Sequence, residues 1–368
     1  MRANAARIYR AVVAVFVMAI FLVTPKFAYA EEAAAVAVPT GKGLPIVVRT
    51  ALYYTHIESF DDNNGTFEAT TDLRLTWEDP RLRYPASESL NGYKEFRATA
   101  AETEIEKIWT PKIQFVNRDG EPSSFERRLR LYPDGKVETM TRTTAVYKTP
   151  VDVTHFPFDH QPLEVEIAVR EDTLETVALD FLLQDMEFSR VAKNASISGW
   201  TLGLVNLRRA IVHGWNGDRY ARVIVALDIK RQASGTIATI FTPLFASLLI
   251  PFLATWMNKI EDGNFVVEAF ELANFIIGGL FAVIALSFTV NSGYPIIAAT
   301  DNTVTRLVGL NYVALTFGLI IIIVFYRYNF LKRWFGAYVQ EQAFLFLTWA
   351  FPALSIITGL AFLLAAAA

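Results

Sequence analysis

The chain has no cysteine. Disulfides, thiolate metal sites and thiol nucleophiles are therefore excluded together. Its formal net charge is −3, and no basic stripe runs along the sequence, so nucleic acid is not an expected partner. HExxH, GxSxG and the phosphate-binding P-loop are missing, and no nucleophile, base and acid fall into a catalytic pattern. The sequence therefore indicates no enzyme, no cofactor and no metal centre. Histidine is scarce: His56, His155, His160 and His213 are the whole supply. They form no motif. Charge is also missing from one region. Asp, Glu, Lys and Arg crowd positions 31–232 and become sparse beyond them.

What is abundant is apolar. Hydrophobic residues make up 53% of the chain, more than an average soluble protein carries. Residues 1–30 read as a signal peptide. Arg2, Arg7 and Arg10 supply the basic start, Ala11 to Val23 the apolar core, and Ala28-Tyr29-Ala30 a small-x-small cleavage site before Glu31. Read instead as a membrane span, this apolar core falls short of the ~20 residues required. Export without disulfides points to a bacterial envelope protein.

From Leu44 to Lys230 the apolar period is two. "TFEATTDLRLTW", "LEVEIAV" and "ARVIVALDI" alternate, as half-buried strands do. "DDNNGT", "YPDGK" and "GWNGD" between such runs are turn chemistry. Many short strands with these turns predict an immunoglobulin-like β-sandwich over residues 31–231. One short helix is expected around "SESLNGYKEF" (residues 87–96).

Beyond Arg231 the pattern becomes four long apolar runs. They predict a four-helix transmembrane domain over residues 232–368, with spans near 236–257, 268–292, 304–326 and 342–365. With a cleaved leader both ends lie outside the membrane. Arg327, Lys332 and Arg333, between spans three and four, then lie on the cytoplasmic side, where positive charge belongs.

The second span carries a polar stripe. Glu271, Asn274, Gly278, Phe281, Ala285, Phe288 and Ser292 recur at steps of three or four and share one helical face. The face is acidic at the inner end, apolar in the middle and polar at the outer end. Copies arranged around an axis would line a pore with it. The alternative is that Gly278 and Ala285 admit a packed neighbour while Glu271 reaches the interface.

Several motifs then fall in order. "VDVTHFPFDHQPL" (Val151 to Leu163) holds Phe156-Pro157-Phe158-Asp159 followed by Gln161. Trp77-Glu78-Asp79-Pro80-Arg81-Leu82 precedes it, and so does Trp109-Thr110-Pro111. Arg231 stands twelve residues before Pro243, and Pro295 closes the second span. Together these resemble the pentameric ligand-gated ion channels, the Cys-loop receptors, over about residues 40–365. Thr149 and Leu163 occupy the positions of the flanking cysteines, so the chain is similar to the prokaryotic members that lack the bridge.

The resemblance implies a homopentamer in the bacterial inner membrane, with the sandwich outside and the second spans around a cation-selective pore. Permeant monovalent cations would meet a Glu271 ring at its inner mouth, and Phe281 and Phe288 would form apolar rings above it. Phe281 falls where the family usually has Leu, and Gly278 where it has Ser or Thr. The resemblance also implies a gating interface. Asp61 and Asp62 of the first turn, and Phe156, Pro157, Phe158 and Asp159 of the loop, would meet Arg231 and the linker containing Pro295. The family's aromatic amine site is poorly matched. Its positions fall on Asp72, on Val116 next to Phe115, and on Arg170, leaving Trp215 and Tyr220 as aromatics in the last hairpin. Arg170 is expected either to receive a carboxylate ligand or to pair with Asp72. The stimulus stays open among a small ligand, protons, membrane tension and a divalent cation such as Ca²⁺. A non-conducting, membrane-anchored solute sensor is the competing reading.

Overall fold

The computed structural model describes residues 36–367 apart from 42, 90, 262 and 263. The signal-peptide reading of residues 1–30 lies outside the described residues. The first half of the chain contains β1 (Ile46–Asp61), β2 (Thr66–Glu78), β3 (Lys94–Arg97), β4 (Ile113–Phe115) and β5 (Arg118–Leu131). It continues with β6 (Lys136–Lys148), β7 (His160–Val169), β8 (Val177–Asp180), β9 (Trp200–His213) and β10 (Arg219–Arg231). Alternation makes these segments two-faced. In β6, Val137, Thr139, Thr141, Thr143, Ala145 and Tyr147 are buried and the residues between them are not, because successive side chains point to opposite faces.

Two sheets face each other, in the orders β3–β5–β6–β2–β1–β8 and β4–β7–β10–β9. Pairing is antiparallel except where β8 joins β1. The apolar core lies between the sheets. Tyr54 crosses it: its hydroxyl lies 2.9 Å from the Leu163 carbonyl and 3.0 Å from that of Val225. Trp77 and Trp109 meet edge to face with centroids 6.0 Å apart, a geometry aromatic quadrupoles favour.

The motif after β2 explains itself locally. Asp79 is fully buried, yet its carboxylate accepts from Arg81 Nε at 2.8 Å and Nη2 at 2.7 Å. A forked, charge-assisted pair makes such burial tolerable. The opposing turn demands glycine. Gly135 has φ +85°, and a Cβ there would lie 2.7 Å from the Asp79 carbonyl oxygen.

One expectation is displaced. Among the described residues, 87–96 hold no α-helix; a single 3₁₀ turn at Ala86–Glu88 precedes β3. Gly92 at φ +77° breaks the run, and Tyr93 and Phe96 suit the strand beside it. The helix forms instead at Thr99–Glu106, where "TAAETEIE" has the higher helical propensity.

The second half is four helices long and apolar enough to cross a membrane: Ala233–Trp256, Ala269–Gly293, Thr303–Arg327 and Ala337–Ala367. The shortest would reach ~36 Å at the helical rise, beyond the ~30 Å of a bilayer core. The first holds a π-helical turn, Ile237–Phe241, just before Pro243. The fourth begins several residues before position 342 because its polar entry is satisfied. Buried Gln340 accepts from Lys332 N at 3.0 Å and donates to Asn329 Oδ1 at 2.9 Å. Between the first and third spans, Ser247 donates to Asn311 Oδ1 at 2.6 Å, and Asn311 donates to the Leu244 and Leu307 carbonyls. Away from water such pairs hold helices in register.

Candidate functional site

The junction between sandwich and helices is built around Arg231, the last residue of β10. Its Nε donates to Asp159 Oδ1 at 2.7 Å and its Nη2 to Asp62 Oδ2 at 2.8 Å. The guanidinium also lies over the Trp200 ring at 4.2 Å and the Phe156 ring at 5.0 Å. Burial by itself would lower its pKa, but the Asp159 and Asp62 carboxylates outweigh burial and hold it above the ordinary arginine value. Asp159 is 2% exposed and accepts a further bond from Gln161 Nε2 at 2.6 Å. A buried cation between two carboxylates and two rings is satisfied from all sides.

The loop that supplies Asp159 is tied at its base. Thr149 Oγ1 donates to the Pro162 carbonyl and accepts from Glu164 N at 3.3 Å. A hydroxyl thus bridges the two limbs of the loop. Gln161 pins the interior, accepting from Asp152 N at 3.0 Å and donating to Asp152 O at 2.7 Å.

Above this base, Phe156 enters an apolar cluster with Val153, Ile240, Phe241, Leu244, Val290, Ile297, Val304 and Leu307. That cluster gathers residues of the loop, the first span, the end of the second, the linker and the start of the third. Phe156 and Phe241 stack with centroids 6.3 Å apart. In the linker, Pro295 begins a short helix, Pro295–Ala299, which turns Ile297 into the cluster. Asn302 then locks the entry to the third span, accepting from Val304 N and donating to the Ile297 carbonyl.

Two expected members sit differently. Asp61 does not face Arg231; its carboxylate accepts from Asn63 N, Asn64 N and Asn64 Nδ2. An Asx turn competes successfully for it, and the Asn64 bond holds its pKa below the usual carboxylate value. Phe158 is half-buried and does not join Phe156. It lines a cleft with His155, His160 and Lys230 beside Ala366 and Ala367 of the fourth span.

The second span packs within the subunit through Leu272, Ile276, Gly279, Val283 and Val290. Glu271, Asn274, Gly278, Phe281, Ala285, Phe288 and Ser292 are all exposed on the opposite side. Gly278 is not the packing glycine: a Cβ there meets nothing within 4 Å. Gly279 is, since its Cβ would lie 2.6 Å from Ile250 Cγ2. The seven-residue stripe is thus left unpartnered by its own chain.

The ligand candidates do not converge. Asp72 pairs with Arg142, Nε to Oδ1 and Nη2 to Oδ2, both at 2.7 Å, so the expected pairing with Arg170 is overturned. Asp72 and Arg142 are direct register partners of β2 and β6, and Arg170 lies beyond the end of β7. Phe115 packs into the core against Tyr147. Trp215 is fully exposed at the β9–β10 tip, and Tyr220 packs against Gly214 behind it. Arg170 is exposed beside Trp77, Arg127 and Lys112. Trp200 and Ile297 escape sequence reasoning, because each matters through a partner far away in the chain.

A family model described as the neurotransmitter-gated ion-channel ligand binding domain matches residues 31–233. Among curated proteins, the proton-gated ion channel of Gloeobacter violaceus is 27% identical over 257 residues. That stretch is 68% of this chain and 65% of the relative, so the match spans a little under two thirds of the relative's length.

Proposed function

The chain belongs to the neurotransmitter-gated ion-channel family, and we propose that it forms a homopentameric, cation-selective channel of the bacterial inner membrane, with its sandwich outside. The second span lines the pore. The observation that carries this reading is the stripe from Glu271 to Ser292, which its own subunit leaves unpacked. Five copies would close it into a conduit. Five Glu271 carboxylates at the inner mouth would concentrate cations and repel anions. Phe281 and Phe288 would give two apolar rings able to stop flow by dewetting.

Gating would run through the junction. A stimulus that moves the sandwich would displace Asp62, Asp159 and Phe156 together, and Phe156 belongs to an apolar cluster shared with the first, second and third spans. Such an element switches between two packings. The similarity to a proton-gated ion channel makes protons the first stimulus to test, with Ca²⁺, amines and carboxylates after them.

The test is reconstitution of the chain in planar bilayers with asymmetric salt. Currents reversing near the cation equilibrium potential, and shifting in Glu271→Gln, are the expected result. Currents with an unchanged reversal potential in that variant would remove Glu271 from selectivity. Silence under every stimulus would favour a solute sensor that does not conduct.

A further inference from the structure

The short helix Leu183–Phe188, between β8 and β9, is built inside out. Its buried face carries a carboxylate. Asp185 is 1% exposed and accepts from Arg74 Nη2 and from Leu182 N, both at 3.0 Å. Arg49 Nε stands 3.7 Å away. Ser189 closes the helix, its Oγ donating to the Asp185 carbonyl at 2.7 Å and accepting from Leu52 N at 3.0 Å. Phe188 lies against the Arg74 guanidinium, 4.1 Å from the ring centroid. What remains outside is apolar: Leu182, Leu183 and Met186 are exposed, Leu183 to 71%. Acids normally face water and leucines the core. Here two arginines fasten the helix the other way round.

Trp215 is presented just as firmly. Gly214 N donates to the Asp218 carbonyl at 2.8 Å and Gly217 N to the Gly214 carbonyl at 3.2 Å. Gly217, at φ +82°, completes the turn. Trp215 projects from it fully exposed, so it does not rest on the Leu183 of its own chain. Tryptophan and methionine are residues that interface cores collect.

The two features stand at one height. The helix is pinned to Arg49, twelve residues up β1 from Asp61. The hairpin tip begins at Arg219, twelve residues up β10 from Arg231. Twelve strand residues span roughly 40 Å. Both strands end at the same point, since Arg231 is bonded to Asp62 at 2.8 Å. Roughly 40 Å from the junction, neither feature reaches lipid. They also belong to different sheets, β1 to one and β10 to the other. A ring of identical copies joins two different patches of each copy, at one level above the membrane.

We propose that Trp215 of one copy docks on Leu182, Leu183 and Met186 of the next copy around the ring. This rests on the homopentameric assembly proposed above. An aromatic anchor on an apolar patch is the form that binding hot spots take, and the Met186 thioether suits an indole face or edge. The contact is one that no single copy can make for itself.

Cysteine cross-linking tests this, and the chain brings no thiol of its own. Leu183→Cys and Trp215→Cys are introduced together into the full-length chain. Native mass spectrometry first establishes the number of copies, and copper phenanthroline or a short bismaleimide then joins neighbouring thiols. A ladder from two to five chains is expected under denaturing conditions. Two single variants expressed together should stop at two chains, and each alone should stay at one. Leu204→Cys combined with Leu183→Cys is the control. Leu204 is 79% exposed but lies low on β9, beside the Val205–Leu227 pair, so no ladder is expected. All three positions are at the surface, and a parallel melt checks that the variants fold as the wild type does. A pentamer without a ladder would overturn the docking and leave the channel reading intact. A ladder of equal strength in the control, or dimers from Trp215→Cys alone, would also overturn it. Single chains in the native spectrum would overturn the pentamer and the contact with it.

Discussion

Trp256 of the first span donates its indole N–H to the Thr348 carbonyl of the fourth at 2.8 Å. Thr348 lies four residues before Pro352, which has no N–H to give it. The kink-forming proline frees an acceptor, and a side chain on a neighbouring helix takes it. Trp256→Phe should lower stability by about 1 kcal/mol, the usual net value of one hydrogen bond. In a Pro352→Ala background, where the helix can satisfy Thr348 itself, the same change should cost clearly less. Thermal unfolding in detergent of the four proteins reads the difference.

Adjacent glycines in the second span should behave oppositely. Gly279→Ala drives a methyl into Ile250 and should destabilise by about 1–3 kcal/mol, as overpacking does. Gly278→Ala meets open space and should gain about 1 kcal/mol of helix propensity. Melting curves of both variants separate the packed face from the open one. A destabilised Gly278→Ala would mean that the stripe faces protein.

Asp159 and Arg231 form a buried pair, and removing either partner strands the other. Asp159→Asn and Arg231→Gln should each cost about 3 kcal/mol. Together they should cost clearly less than the sum. A double-mutant cycle on unfolding, repeated on channel opening, measures the coupling. Strict additivity in both would show that the two residues act separately.

The Asp61 turn gives a sign-defined pH effect. Its bond from Asn64 depresses the folded pKa, so the contribution is fully present above the unfolded value of about 3.9. It is lost as pH falls from there through the lower folded pKa. Asp152, depressed by its bond from the Thr154 hydroxyl, should add to the same acid limb. Melting temperature measured from pH 6 down to pH 3 should fall less steeply in Asp61→Asn than in the wild type.

Thr149→Val keeps the shape of the side chain and removes the hydroxyl at the base of the loop. A loss of about 1 kcal/mol is expected, together with faster amide exchange across Asp152 to Gln161. Unchanged exchange there would show that Gln161 alone closes the loop.

Much of this architecture was legible because it is written with a local period. Alternation marked β2, β7 and β10, long apolar runs marked the four spans, and the seven-residue stripe needed nothing beyond helical spacing. The cluster of Asp159 with Arg231 was legible through motif resemblance. The failures share a different cause. Asp72 faces Arg142 because β2 and β6 pair in one register, which neither strand's sequence states. Phe115 belongs to the core because β4 pairs with β7 and turns it inward. Asp61, placed at the gating interface by its position in the first turn, is held by that turn itself, through bonds from Asn63 and Asn64.

The hydroxyl tie at Thr149 has a consequence for how the protein can be made. No thiol oxidase, disulfide isomerase or redox buffer has any part in shaping the loop that joins sandwich to membrane. Chains matured under strongly reducing conditions and chains matured in air should therefore reach the same junction, and reductants added later should leave it intact.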